Sequence, residues 1–255
     1  MSEVIDRARR GGGVGADPNG AGEVEVSRRD QGKAARRDAI LDAARSLIRD
    51  IGPQVSAERI AQRAGVSTAT VYNLIGPRER LLGLLLSELF EDLAATVTAM
   101  NLDDPILFGD AVVVVSARMF VADADLWRQV APDVSGLFAT SIKPFVSFQP
   151  INLQRHAMTT AKAMGLLSRS ADPLATAMHI YAAYCGALTL WSGGVLSDDE
   201  FLSQAQAGYW AMLAAFGSTN LRRRAQSKLK DLQQAAPIPI GVAALPLQSG
   251  NFSRP

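Results

Sequence analysis

Cysteine and histidine are nearly missing from this chain of 255 residues. The single cysteine, Cys185, excludes a disulfide framework and any cysteine-cluster zinc site, and it suits a reducing compartment. Two histidines, His156 and His179, leave too little for a His-based metal centre or a His-dependent triad. Paired carboxylates in an apolar setting are also missing, so neither enzymatic activity nor a metal or cofactor is expected. Strand signals are poor: the β-branched run at 112–115 sits among helix formers with no hairpin turn beside it. No apolar stretch follows residues 1–10, so no secretory signal is expected and the expected location is the cytoplasm.

Charge is lacking over two long stretches, 173–197 and 201–221, each long enough to raise the question of a membrane span. Polar residues dot both (Thr176, His179 and Thr189 in one, Ser203, Gln204 and Gln206 in the other), and the connection at 196–200 is short and acidic. Burial on more than one protein face explains such helices better than lipid does, and no membrane partner is expected.

Apolar residues make up 48% of the chain and charged residues 20%, enough to bury a core. The net charge of +1 hides an uneven distribution. Residues 36–82 carry eight basic side chains against five acidic ones, and residues 83–218 carry six against thirteen. From residue 219 onward there are six basic and one acidic, with Arg222, Arg223 and Arg224 at the head of that segment. A basic head on an acidic body suits a protein whose head alone meets phosphates.

The fold expected is all-α, in four parts. Residues 1–35, rich in glycine at 11–15 and 20–22, read as a disordered leader. Residues 36–82 read as a three-helix head. Residues 83–218 read as a larger helical domain, with helical periods broken at Pro105, Pro132, Pro144, Pro150 and Pro173. Residues 219–255 read as a basic, proline-containing tail with one short helical stretch and little other order.

Within the head, Ile40, Leu41, Ala44, Leu47, Ile48 and Ile51 recur at helical spacing before Gly52 and Pro53 stop the helix. Ser56 and Ser67 each precede a short helix and stand where an N-cap belongs. Between the two helices, Ala61 is small enough for a close crossing and Gly65 supplies the positive φ of a tight turn. Val71 packs the second helix inward, and Thr68, Ala69, Thr70, Tyr72 and Asn73 stay outward. This is helix-turn-helix spacing, and the outward face is small and hydrogen-bonding, as a major groove about 12 Å wide requires.

Residues 37–86 resemble the N-terminal domain of the TetR (tetracycline-repressor-like) transcriptional regulators, through the run at 37–44, Ile60 to Ser67, Val71-Tyr72 and the run at 78–82. The resemblance implies a homodimer whose heads read a palindromic double-stranded DNA operator. It also implies a variable C-terminal helical domain that binds a small effector and dimerises. Carried across, it places Ser56 and Arg78 at phosphates, and Ser67, Thr68, Thr70, Tyr72 and Asn73 on the recognition helix. Leu74 departs from the aromatic residue or histidine common at its position, and Pro77 from a small polar residue. The basic residues Arg28, Arg29, Lys33, Arg36 and Arg37 read equally well as a DNA-contacting arm or a solvated linker.

In the larger domain, an effector pocket is expected among Val112, Val115, Met119, Phe120, Trp127, Phe138, Phe145, Phe148 and Met158, with Gln154, Arg155 or His156 orienting a polar end. The composition favours an apolar or amphipathic molecule. A dimer seam is expected from Met178, Tyr181, Cys185 and Leu188 on one helix and Leu202, Tyr209, Met212 and Phe216 on the next. The function these readings imply is a dimeric, ligand-released repressor. The alternative is a helix-turn-helix adaptor whose body binds a protein partner.

Overall fold

The computed structural model describes residues 28–140 and 149–235, which form ten helices and no strand. The head comprises α1 (Arg28–Ile51), α2 (Ala57–Ala64) and α3 (Thr68–Leu74). A linking helix, α4 (Arg78–Ala99), runs from the head into the body, about 33 Å at 1.5 Å per residue. The body comprises α5 (Pro105–Ala122), α6 (Ala124–Thr140), α7 (Gln149–Ala163), α8 (Pro173–Ser192), α9 (Asp198–Phe216) and α10 (Thr219–Ala235).

One apolar cluster runs unbroken from head to body. Ile40, Leu41, Ala44, Leu47 and Ile48 are buried as their spacing predicts, but Ile51 stands exposed at the end of α1. Each fully buried Ile or Leu contributes roughly 1.5–3 kcal/mol. In the body, α5 lies among α4, α7 and α9, and α8 among α6, α7 and α9. Helix α5 is the one described helix long and apolar enough to cross a membrane, yet half of it is buried inside the protein.

The α7–α8 connection is tied on both sides. Ser168 N donates to Phe216 O and Ser218 N to Leu166 O, both at 2.8 Å, forming an isolated bridge between Leu167 and Gly217. The Lys162 ammonium donates to the carbonyls of Ser168, Arg169 and Ala171 at 2.8, 2.8 and 2.9 Å.

Three expectations about organisation change. Helix α1 begins at Arg28, so residues 28–35, Lys33 among them, are helix where leader was expected. Helix α6 continues through Pro132, because an interior proline deletes one backbone hydrogen bond without having to end the helix. The expected tail begins with a full helix, α10, packed on α9 through the buried Leu221 and Ala225. Arg224 also fixes it, lying over the Trp210 ring and pairing with Asp104. The glycine-rich segment at 11–22 and the prolines at 237–255 lie outside the described residues.

Candidate functional site

The head folds as its local signals dictate. Arg59 N donates to the Ser56 hydroxyl, which caps α2, and Thr70 N donates to the Ser67 hydroxyl, which caps α3. Gly65 adopts φ +67° and donates to Gln62 O, while Val66 donates to Ala61 O, which turns the chain out of α2. A residue with a Cβ is strained in that conformation, which explains the glycine.

Ala61 and Val71 are both buried where α2 crosses α3, so the opposite side of α3 faces outward. Tyr72 is 55% exposed, and Ser67, Ala69 and Asn73 are also exposed. Thr68 and Thr70 are half-buried, and the Thr70 hydroxyl lies 2.8 Å from that of Ser67. The arrangement presents hydroxyls, an amide and a phenol on one short rod. Arg78 donates through Nε to Pro53 O at 3.0 Å, which ties the start of α4 to the α1–α2 loop. Ser56 is exposed on the same side, and both it and Tyr72 border the groove that Arg78 closes.

A second site lies in the body. Helices α4, α5, α6, α7 and α8 line a partly open cavity of about 40 Å³, more than the roughly 10–15 Å³ that one water needs. Of the residues expected to line it, Val112, Phe120, Trp127 and Gln154 do. Val115 and Met119 do not, because α5 presents Val112, Ser116 and Phe120 to the space and those two occupy the neighbouring stripe. His156 is exposed and sits edge-on to Phe108 at the body surface. Phe145, Phe148 and the side chain of Phe138 lie outside the described residues.

Tyr181, Cys185 and Leu188, expected on a dimer seam, line this cavity. Tyr209 is fully buried and donates to Ile106 O at 2.7 Å, so it too belongs to its own subunit. Leu202, Met212 and Phe216 are half-buried on the core, with Phe216 stacked on His179. Met178 alone of that set is well exposed, and it falls in a row with Leu174, Ala182, Gly186 and Leu190 along the outer side of α8. Because α8 is apolar nearly all round, spacing alone does not say which side meets which neighbour.

Burial pushes the Tyr181 and Tyr184 phenols and the Cys185 thiol upward, which keeps all three protonated. The described wall is thus uncharged. It also touches the head's support. Phe120 and Trp127 meet edge to face at 5.2 Å, and Asp123 lies between them in sequence. Arg49 of α1 donates to Asp123 through Nε at 2.8 Å and Nη2 at 2.5 Å. That hydrogen bond is the main cause that holds the Arg49 guanidinium above its ordinary pKa. Arg45 pairs likewise with Glu88 of α4.

Neither ion pair was legible in the sequence, since the partners lie far apart along the chain. The bond between Ser116 and Tyr184 across the cavity wall was missed for the same reason.

Residues 40–74 match the family model described as bacterial regulatory proteins, tetR family. No curated protein matches the chain. Among solved structures, SmeT, the repressor of the Stenotrophomonas maltophilia multidrug efflux pump SmeDEF, aligns at 20% identity with a TM-score of 0.55. The alignment covers 72% of this chain and 92% of that one. RolR in complex with resorcinol aligns at 19% identity and a TM-score of 0.58, covering 76% and 95%. Thermus thermophilus FadR, a TetR-family repressor in complex with lauroyl-CoA, aligns at 19% identity and 0.55, covering 70% and 93%. At these identities the structural likeness establishes the fold.

Proposed function

Because its head is that of the TetR-family transcriptional regulators and its body has their fold, we propose that this chain is a sequence-specific DNA-binding regulator, a dimeric repressor released by a small effector. The observation that carries this reading is the outward side of α3. It is capped, turned by Gly65 and anchored by Val71, with Tyr72 and Asn73 exposed. An αα-hairpin serving only as packing has no need to keep a tyrosine half out of the protein.

A second copy of the chain is the proposed occupant of the outer side of α8. Leu174, Met178, Ala182, Gly186 and Leu190 recur every fourth residue as one exposed ridge, and Ala182 and Gly186 permit close approach. Two heads brought together this way would read half-sites about 34–36 Å apart.

The internal cavity favours an effector over the adaptor alternative. An apolar guest pressing on Phe120 and Trp127 would shift Asp123, and with it Arg49 and the head. A decisive change in operator occupancy needs the guest to prefer the released state by about 5.5 kcal/mol. The neighbour RolR, solved with the small aromatic resorcinol, supports a body that accepts such a molecule.

The test is to bind the purified protein to fragments of the genome that encodes it and sequence what is retained. The expected result is a shared palindrome. Retention without a common sequence contradicts the proposal.

A further inference from the structure

The cavity wall contains one group that no described residue answers. Gln154, on α7, is 3% exposed and lines the space. Its Nε2 donates to Gly109 O at 2.8 Å. A carbonyl oxygen only accepts, so that contact fixes which end of the amide faces α5, and Oε1 must point elsewhere. Oε1 is buried with no hydrogen-bond partner among the described residues. Leaving such an acceptor unmet is costly, because its lost hydration is not replaced.

The other polar side chains around the cavity are already engaged. Ser116 and Tyr184 share a hydrogen bond at 2.9 Å, and Tyr181 and Cys185 bond each other one helical turn apart. No Lys, Arg, His, Asp or Glu is among the described lining residues, so a carboxylate or phosphate would enter without a counter-charge. The remaining lining, including Phe90, Val112, Phe120 and Leu188, is apolar.

From this placement we infer that the cavity takes an uncharged, mainly apolar molecule carrying one hydrogen-bond donor, a hydroxyl or N–H, which the Gln154 Oε1 receives. The inference rests on the reading of the cavity as the effector site and narrows that site to a ligand class. It separates molecules of equal shape: a hydroxylated ring is received, whereas the ring with a methyl in place of the hydroxyl leaves the Gln154 carbonyl unmet. Toluene leaves water more readily than phenol, so an apolar space without an acceptor selects toluene. Selection of phenol requires a group that takes its proton.

The experiment is calorimetric titration of the full chain with phenol and with toluene, for the wild type and for Gln154→Leu. Gln154→Met, unbranched and neutral, serves as a second variant if the leucine disturbs folding. The expected result is that the wild type binds phenol more tightly, and that either variant shifts the phenol-to-toluene ratio about tenfold towards toluene. A merely structural glutamine would change both affinities together and leave the ratio alone. An unchanged ratio overturns the inference while the cavity remains a ligand site. If neither ring binds the wild type, the effector-site reading and this inference fall together.

Discussion

Arg49 and Asp123 form a two-point ion pair that joins the first helix of the head to the corner between α5 and α6. The pair matters because of its neighbours in the chain. Phe120 and Trp127, on either side of that corner, form part of the cavity wall. A displacement of the wall at Phe120 is therefore three residues along the chain from Asp123, which holds the head. The second pair, Arg45 with Glu88, fixes α1 to the linking helix, so the head is held at two points along α1.

The Arg49–Asp123 pair is partly exposed, so its contribution to stability is modest. Arg49→Met and Asp123→Asn are each expected to cost about 1 kcal/mol in urea denaturation, and the double variant no more than the larger single loss. Strict additivity of the two losses would show that the pair carries no coupling.

Gly65 supplies the left-handed turn, and a Cβ built there meets nothing within 4 Å. The cost of Gly65→Ala is then purely backbone strain, roughly 1–2 kcal/mol, with Gly65→Asn costing less. Chemical denaturation of both variants checks this. Equal stability of wild type and Gly65→Ala would contradict the turn geometry.

The exposed ridge of α8 is expected to hold two copies together. Sedimentation of the wild type should give about 54 kDa, twice the chain mass of 27.2 kDa. Met178→Glu combined with Leu190→Glu should give a monomer with unchanged helix content. A variant that remains dimeric would move the interface elsewhere.

Asp110 offers a pH test of the α5–α9–α10 contact. Its carboxylate accepts from Gln206 Nε2 at 3.0 and 2.9 Å and from Trp210 Nε1 at 2.9 Å. Burial nonetheless raises its pKa above the ordinary 3.8, outweighing these bonds and the nearby Lys228 and Arg224. The folded state therefore holds the proton to higher pH than the unfolded state does. Stability from this group is greatest below 3.8 and declines as pH rises through the raised value. The melting temperature of the wild type, relative to Asp110→Asn, should fall from acid pH across the carboxylate range and then level off. A difference that grows with pH would contradict the assigned burial effect.

What the sequence revealed followed the range of the interactions involved. Ser56, Gly65, Ser67 and Val71 act on neighbours within a turn or two, so their spacing alone predicts the head, and the structure agrees. The helical stretch of α10 was legible, since Leu221, Ala225, Leu229 and Leu232 keep helical spacing, but its packing was not, because Arg224 meets Trp210 and Asp104 only across the fold. The body resisted for a physical reason. In a helix apolar on every side, such as α8, period does not tell the core from the cavity or from a partner, and only tertiary packing assigns Cys185 inward and Met178 outward.

The most direct test of the account lies in α3. Affinity is measured for a recovered palindrome and for a scrambled duplex of equal length, with the wild type and with Tyr72→Ala, Asn73→Ala, at fixed salt. The account predicts that the double variant keeps its fold and its weak binding to the scrambled duplex. It should lose roughly 1–3 kcal/mol of preference for the palindrome per contact removed. An undiminished preference for the palindrome in the double variant would show that this helix does not read DNA.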